Sequence, residues 1–215
     1  MSKALILDFG GVVTRTLFET HDLSEAALGL APGTLIWRGP FDPDNDPLWR
    51  DMQADRISER DYWMKRTREV GALVGKDWTK MADFVRAARG GDPDAVIRPE
   101  FRETIAAAKA ANIGLAILSN ELDLFYGADF RDKLPFLADF DVIVDATYTN
   151  ILKPDPRAYR ACLDELGLAA GDCVFVDDQL RNIEGAKAVG LNTVHFDVCR
   201  PRESYAAAQH LLGIA

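Results

Sequence analysis

Basic residues are the scarcer charge in this chain, with 25 Lys and Arg against 34 Asp and Glu over 215 residues and a formal net charge of −9. No run of five like charges occurs. The clustered cations that bind a phosphate backbone are missing, which excludes a nucleic-acid partner. Nowhere do apolar residues continue for the roughly 20 positions that a membrane helix needs. The run Ala4-Leu5-Ile6-Leu7 is cut off by Asp8, too soon for a signal-peptide core, so the expectation is a cytoplasmic protein with no membrane partner. Cysteine is sparse as well. Cys162, Cys173 and Cys199 are an odd number without C-x-x-C spacing, which argues against a disulfide framework or a zinc site and predicts buried reduced thiols. The turn after the first strand signal lacks G-x-G-x-x-G, so dinucleotide binding has no support.

What is present is an ordinary globular composition, 48% hydrophobic and 27% charged, at a length that suits one domain or one domain carrying an insertion. Lys3 to Leu7 reads as a buried strand ending at Asp8-Phe9-Gly10-Gly11, where two glycines allow a tight turn. After Pro99 the texture is regular. Pro99 and Pro156 open helices, Gly167 ends the second of these, Gly190 ends a further helix with Ile183, Ala186 and Val189 on one side, and buried strands are expected at Ile113 to Leu118, Asp141 to Val144, Cys173 to Val176 and Leu191 to Phe196. A closing helix is expected near Arg202 to Leu212. Alternating strands and helices predict an α/β fold, a Rossmann-like parallel sheet with helices on both faces, built from residues 1–14 and 99–215. Residues 15–98 interrupt that pattern and read as an inserted α-helical cap. It holds all four tryptophans, Trp37, Trp49, Trp63 and Trp78, which are expected to make its own core, with direct substrate contact as the alternative.

In open parallel sheets ligands bind at the carboxyl ends of the strands. There the chain places Asp8, Ser119-Asn120, Lys153 in the loop after the third strand, and Asp177-Asp178. Each alone has a structural reading, as a turn former, helix cap or solvated charge. Together, three carboxylates, an ammonium and a hydroxyl on one edge call for a balancing cation. Magnesium takes hard oxygen ligands and is held by one or two carboxylates plus substrate phosphate, which suits Asp8 with Asp178 and Asp177. At the ordinary Asp pKa of roughly 3.9 the Asp8 carboxylate is ionised at neutral pH and is a nucleophile ready to form an aspartyl-phosphate, with Lys153 and Ser119 holding the phosphoryl oxygens.

These residues resemble the haloacid dehalogenase-like hydrolases. The likeness runs through Leu5 to Val13 with Asp8 inside it, Ala116-Ile117-Leu118-Ser119-Asn120, Leu152-Lys153-Pro154-Asp155, and Val174 to Ala186 with Asp177-Asp178. Within that family the chain looks like the subgroup with a helical cap after the first motif, as in small phosphatases acting on sugar phosphates. The resemblance implies Asp8 as nucleophile and magnesium ligand, Ser119 and Lys153 as catalytic phosphate contacts, and Asp177 and Asp178 as metal carboxylates. It also implies Asn120 as a phosphoryl contact, the Gly10 backbone carbonyl as a metal ligand, and Asn182 as the residue that orients the acidic loop.

One departure matters. Many relatives carry a second Asp at the position of Gly10, a general acid and base whose loss typically costs on the order of 10²–10⁴ in rate. Glu121, Asp123, His21 and Asp22 are the candidate substitutes. The expected activity is hydrolysis of a small phosphorylated metabolite by a monomer or homodimer. A non-catalytic role is the alternative that Gly10 favours, and a dehalogenase, which needs no leaving-group acid, is the third.

Overall fold

The computed structural model describes residues 3–89 and 93–214, so the outermost residues of the 1–14 and 99–215 segments, and residues 90–92, lie outside it. Five parallel strands form one sheet in the order β3-β2-β1-β4-β5. They are β1 Ala4–Leu7, β2 Gly114–Ser119, β3 Val142–Asp145, β4 Cys173–Asp177 and β5 Asn192–His195. The short apolar runs form strands buried on both faces, as parallel sheets require; all four residues of β1 and all five of β4 are buried.

Numbered along the chain, the helices are α1 His21–Leu28, α2 Pro47–Gln53, α3 Glu59–Leu73, α4 Met81–Arg89, α5 Pro99–Ala110, α6 Leu122–Tyr126, α7 Ala146–Thr149, α8 Pro156–Leu166, α9 Leu180–Val189 and α10 Pro201–Leu212. Pro stands in the first turn of α5, α8 and α10, and Gly167, Gly190 and Gly213 end α8, α9 and α10 in the left-handed conformation. Because strand side chains alternate, Ala4 and Ile6 turn to one face, where they pack with Tyr159, Cys162 and Leu163 of α8 and Ile183 and Ala186 of α9. Helices α5 and α10 pack on each other and on the sheet. Among the described residues no helix is long and apolar enough to cross a membrane.

The chain divides into two compact units. One is Met1–Arg15, Ile97–Asp123 and Arg131–Ala215, which holds the sheet; the other is Thr16–Val96 with Leu124–Phe130. The second unit has its own aromatic core. The Phe18 ring centroid lies 5.5 Å from Trp37, 5.2 Å from Trp49 and 5.4 Å from Trp63, and Phe125 of the short 124–130 segment meets Trp63 at 5.4 Å. Beneath these rings the fully buried Asp46 accepts hydrogen bonds from Tyr62 Oη at 2.9 Å, Arg66 Nη2 at 2.6 Å and the N–H of Trp49 at 3.0 Å.

The expectation of buried thiols needs one correction: Cys162 and Cys173 are buried, but Cys199 is exposed. It sits in the turn before α10, where its N–H is bound by Asp197.

Candidate active site

β1 lies between β2 and β4 with Leu7 opposite Ile117 and Val176, so one residue on, Asp8 leaves the sheet beside Leu118 and Asp177. The N–H of Asp8 donates to the carbonyl of Val176 at 2.9 Å and ties the nucleophile candidate to the neighbouring strand. The chain then turns through Gly10 (φ −71°, ψ 127°) and Gly11 (φ 80°, ψ −29°), the dihedrals of a type II turn. Only glycine takes the positive φ at the second of these positions without strain, which accounts for Gly11.

Lys153 is the centre of the cluster. Its Nζ donates to Asp8 Oδ1 at 2.7 Å and to Asp177 Oδ2 at 2.6 Å, and the residue is only 4% exposed. Burial works against its charge, yet Asp177 and Asp8 more than offset this and raise its pKa above the usual lysine value. The Asn120 amide fixes the lysine's backbone, accepting from the Lys153 N–H at 2.7 Å and donating to its carbonyl at 3.1 Å. The structure therefore shows Asn120 holding Lys153, an engagement that the phosphoryl-contact expectation did not include.

Burial pushes the Asp8 carboxyl up to about 6, with Lys153 pulling it down and Asp177 pushing it further up. The ordinary pKa expected from sequence is thus corrected: desolvation outweighs the ammonium. Asp8 still ionises by neutral pH.

Asp177 is fully buried and its carboxylate is saturated. Oδ1 accepts the Gln179 N–H at 2.8 Å, Oδ2 accepts Lys153, and Asn182 Nδ2 lies 3.1 Å from both oxygens. Asn182 does orient the acidic loop, and its own carbonyl accepts from Tyr159 Oη at 2.7 Å. Carboxylate oxygens of Asp8, Asp177 and Asp178 all lie within 4.8 Å of one another. Such a set of hard oxygen donors fits a small divalent cation. The Asp177 oxygens already accept these bonds, and Asp8, which accepts from Lys153, and the half-buried Asp178 complete the set.

Ser119 ends β2 opposite Asp145 and is 6% exposed. Asp145 belongs to this edge too, although the sequence reading stopped its strand at Val144. It accepts the N–H groups of Leu122 and Asp123 and the Arg131 guanidinium, and so holds the loop that follows Ser119-Asn120. A carboxylate directly after an apolar run was the available signal.

Of the candidate acid/base substitutes, Asp123 is occupied by Arg131 Nε and Tyr148 Oη, both at 2.7 Å. Glu121 is half-buried in the loop after β2, whereas His21 and Asp22 belong to the helical unit. His21 is buried and kept neutral: burial first, then Arg38, pushes its pKa down to about 4. Asp22 is exposed.

Comparison with known proteins accords with this geometry. Residues 2–190 match the haloacid dehalogenase-like hydrolase family. The plasmid CbbY protein of Cupriavidus necator is 37% identical over 208 residues, 89% of this chain and 77% of that protein. Acyl-CoA dehydrogenase family member 10 of Mus musculus is 33% identical over 98% of this chain, which spans only 19% of that relative's length. Among solved structures, the L-2-haloacid dehalogenase of Xanthobacter autotrophicus shares the fold at a TM-score of 0.59 and 23% identity, covering 100% of this chain and 85% of its own. A HAD phosphatase from Thermococcus onnurineus does so at 0.55 and 21%, covering 91% and 86%. By its matched length and its arrangement of Asp8, Lys153 and the acidic pair, the chain belongs to the haloacid dehalogenase-like hydrolases.

Proposed function

We propose that this hydrolase is a magnesium-dependent phosphatase that cleaves a small phosphorylated metabolite, of which sugar phosphates are one class, through an aspartyl-phosphate on Asp8. The observation that carries the reading is Lys153 bridging Asp8 and Asp177 at 2.7 and 2.6 Å beside Asp178. Asp8, Asp178 and the Gly10 carbonyl are the groups that would hold magnesium, with Asp177 acting through Lys153. Bound there, the cation would screen the phosphate's negative charge from the nucleophile.

The residues divide the rest of the work. Asp8 attacks phosphorus and the ester oxygen departs; water then hydrolyses the acyl phosphate and restores the carboxylate. Lys153 and the Ser119 hydroxyl hold phosphoryl oxygens, and the fixed ammonium stabilises charge that develops in the transition state. Gly10 offers no proton to the departing oxygen, so a substrate with a good leaving group is favoured. Selection of the substrate is assigned in this reading to the inserted residues between Leu17 and Trp63.

The test is hydrolysis of an aryl phosphate with and without magnesium, with Asp8→Asn alongside. Magnesium-dependent release that is lost in the variant is the expected result. Equal release from the variant would overturn the mechanism, and halide release from a 2-haloacid without magnesium would replace it.

A further inference from the structure

Arg98 is the largest fully buried side chain among the described residues, 2% exposed, and it lies outside every motif named above. A buried guanidinium is costly unless it is hydrogen-bonded, and a leucine or methionine would fill the space without that cost. Two of its hydrogen bonds run to one place. Arg98 Nε donates to the Gly11 carbonyl at 3.0 Å, and its backbone N–H donates to the Val13 carbonyl at 3.0 Å. Between these, the Val12 carbonyl accepts from Tyr205 Oη at 2.9 Å. Phe196 backs both donors, 5.4 Å from the guanidinium and 5.1 Å from the Tyr205 ring. Three successive carbonyls of the turn after Asp8 are therefore gripped from within the core.

We propose that Arg98 is a positioning residue: it holds the Gly11 carbonyl and thereby the Gly10–Gly11 peptide, so that the Gly10 carbonyl and the Asp8 side chain keep one fixed relation. The orientation of the Gly10 carbonyl is set by the rotation of that peptide, and the Gly11 φ of 80° is the unusual angle that must be maintained. Chain connectivity adds a second consequence. The chain leaves the sheet unit after Arg15 and returns at Ile97, and within that unit Thr14 and Ile97 form an antiparallel bridge directly beside Arg98. At these two ends of the sheet unit, Thr14 donates to the Phe9 carbonyl and Arg98 to the Val13 carbonyl, so both are bonded to the nucleophile's turn.

The use assigned to the Gly10 carbonyl rests on the phosphatase reading, whereas the grip on the turn does not, and the experiment separates the two. Arg98→Met, Arg98→Lys and Tyr205→Phe are made in the full chain. Hydrogen exchange is followed without metal, magnesium affinity by calorimetry, and kcat and KM with an aryl phosphate. In Arg98→Met the Phe9–Thr14 amides should exchange at least about tenfold faster while those of β2 and β4 keep their rates; magnesium binding and kcat should each fall by about tenfold or more with KM nearly unchanged, as small misplacements of reacting groups do. Arg98→Lys keeps the charge but loses the planar fork and should recover part of each effect.

A folded Arg98→Met whose Phe9–Thr14 amides exchange at the wild-type rate overturns the proposal. So does faster exchange spread evenly over the sheet, which marks general destabilisation. If Arg98→Met fails to fold, the same exchange readout on Arg98→Lys and Tyr205→Phe decides. If the wild type neither binds magnesium nor hydrolyses the ester, the phosphatase reading falls, and the exchange data still judge the grip of Arg98.

Discussion

At the scale of single residues, Lys153 carries the strongest constraint, because its ammonium is enclosed by two carboxylates, one of them fully buried. Removing one partner of a buried pair strands the other charge, a loss of about 3–5 kcal/mol. Lys153→Met is therefore expected to abolish turnover and lower the unfolding free energy by about 3 kcal/mol in urea at neutral pH, towards the low end because Asp8 can regain water. Adding Asp177→Asn should restore part of that stability by neutralising the buried carboxylate. A single variant within about 1 kcal/mol of wild type would show that the pair is not enclosed as described. The sequence placed Asp8, Ser119 and the acidic pair on one edge, since each follows a short apolar run, and Lys153 in the loop after the third strand. It did not disclose that Asp177 is saturated, that Asn120 grips the Lys153 backbone or that burial raises the Asp8 pKa. Apart from the local bonds of Gln179 and Asn182 to Asp177, these depend on which atoms meet across chain separations of 24 to 145 residues.

At the scale of elements, α9 must lie close against the turn that follows Lys153, and Gly185 is where it does so. A Cβ there would come within 2.7 Å of Pro154 Cβ, 2.9 Å of the Pro154 carbonyl and 2.9 Å of Tyr159 Oη. In an open helix Gly→Ala gains about 1 kcal/mol. Here the backbone carbonyl cannot yield cheaply and overpacking wins, at roughly 1–3 kcal/mol. Gly185→Ala should therefore lower the melting temperature and, by displacing Lys153, reduce kcat at least about tenfold. A variant that melts higher and turns over normally would contradict this packing. Helix ends in the second half of the chain were readable because Pro156, Gly167 and Gly190 act locally on their own backbone. The helical segment was less so: α2 and the loops around it are tied by Asp46 to Tyr62 and Arg66, 16 and 20 residues away, which no local pattern announces.

At the scale of the whole molecule, two buried groups that titrate between about pH 4 and 6.5 oppose each other in their effect on stability. His21, in the helical unit, has its pKa depressed from 6.5 to about 4 by burial, with the charges of Arg38 and Arg66 adding to the shift and Glu25 opposing it. Between these values the unfolded chain binds more protons, so stability rises as pH rises from about 4 to 6.5. Asp8, in the sheet unit, is raised from 3.8 to about 6, so the folded chain holds the extra proton and stability falls as pH rises through that window. Among the shifted acids, Asp155, pulled down to about 2 by Arg157, acts only below this range. The two slopes have opposite signs, so in metal-free wild-type protein in EDTA they offset each other between about pH 4 and 6. Each variant should expose the slope of the other group. Stability of His21→Phe should fall as pH rises across the window, and that of Asp8→Asn should rise. Urea unfolding at half-unit pH steps reads both directly; variants that keep the wild-type profile would mean that neither group titrates in the environment described, and with it would go the raised Asp8 pKa.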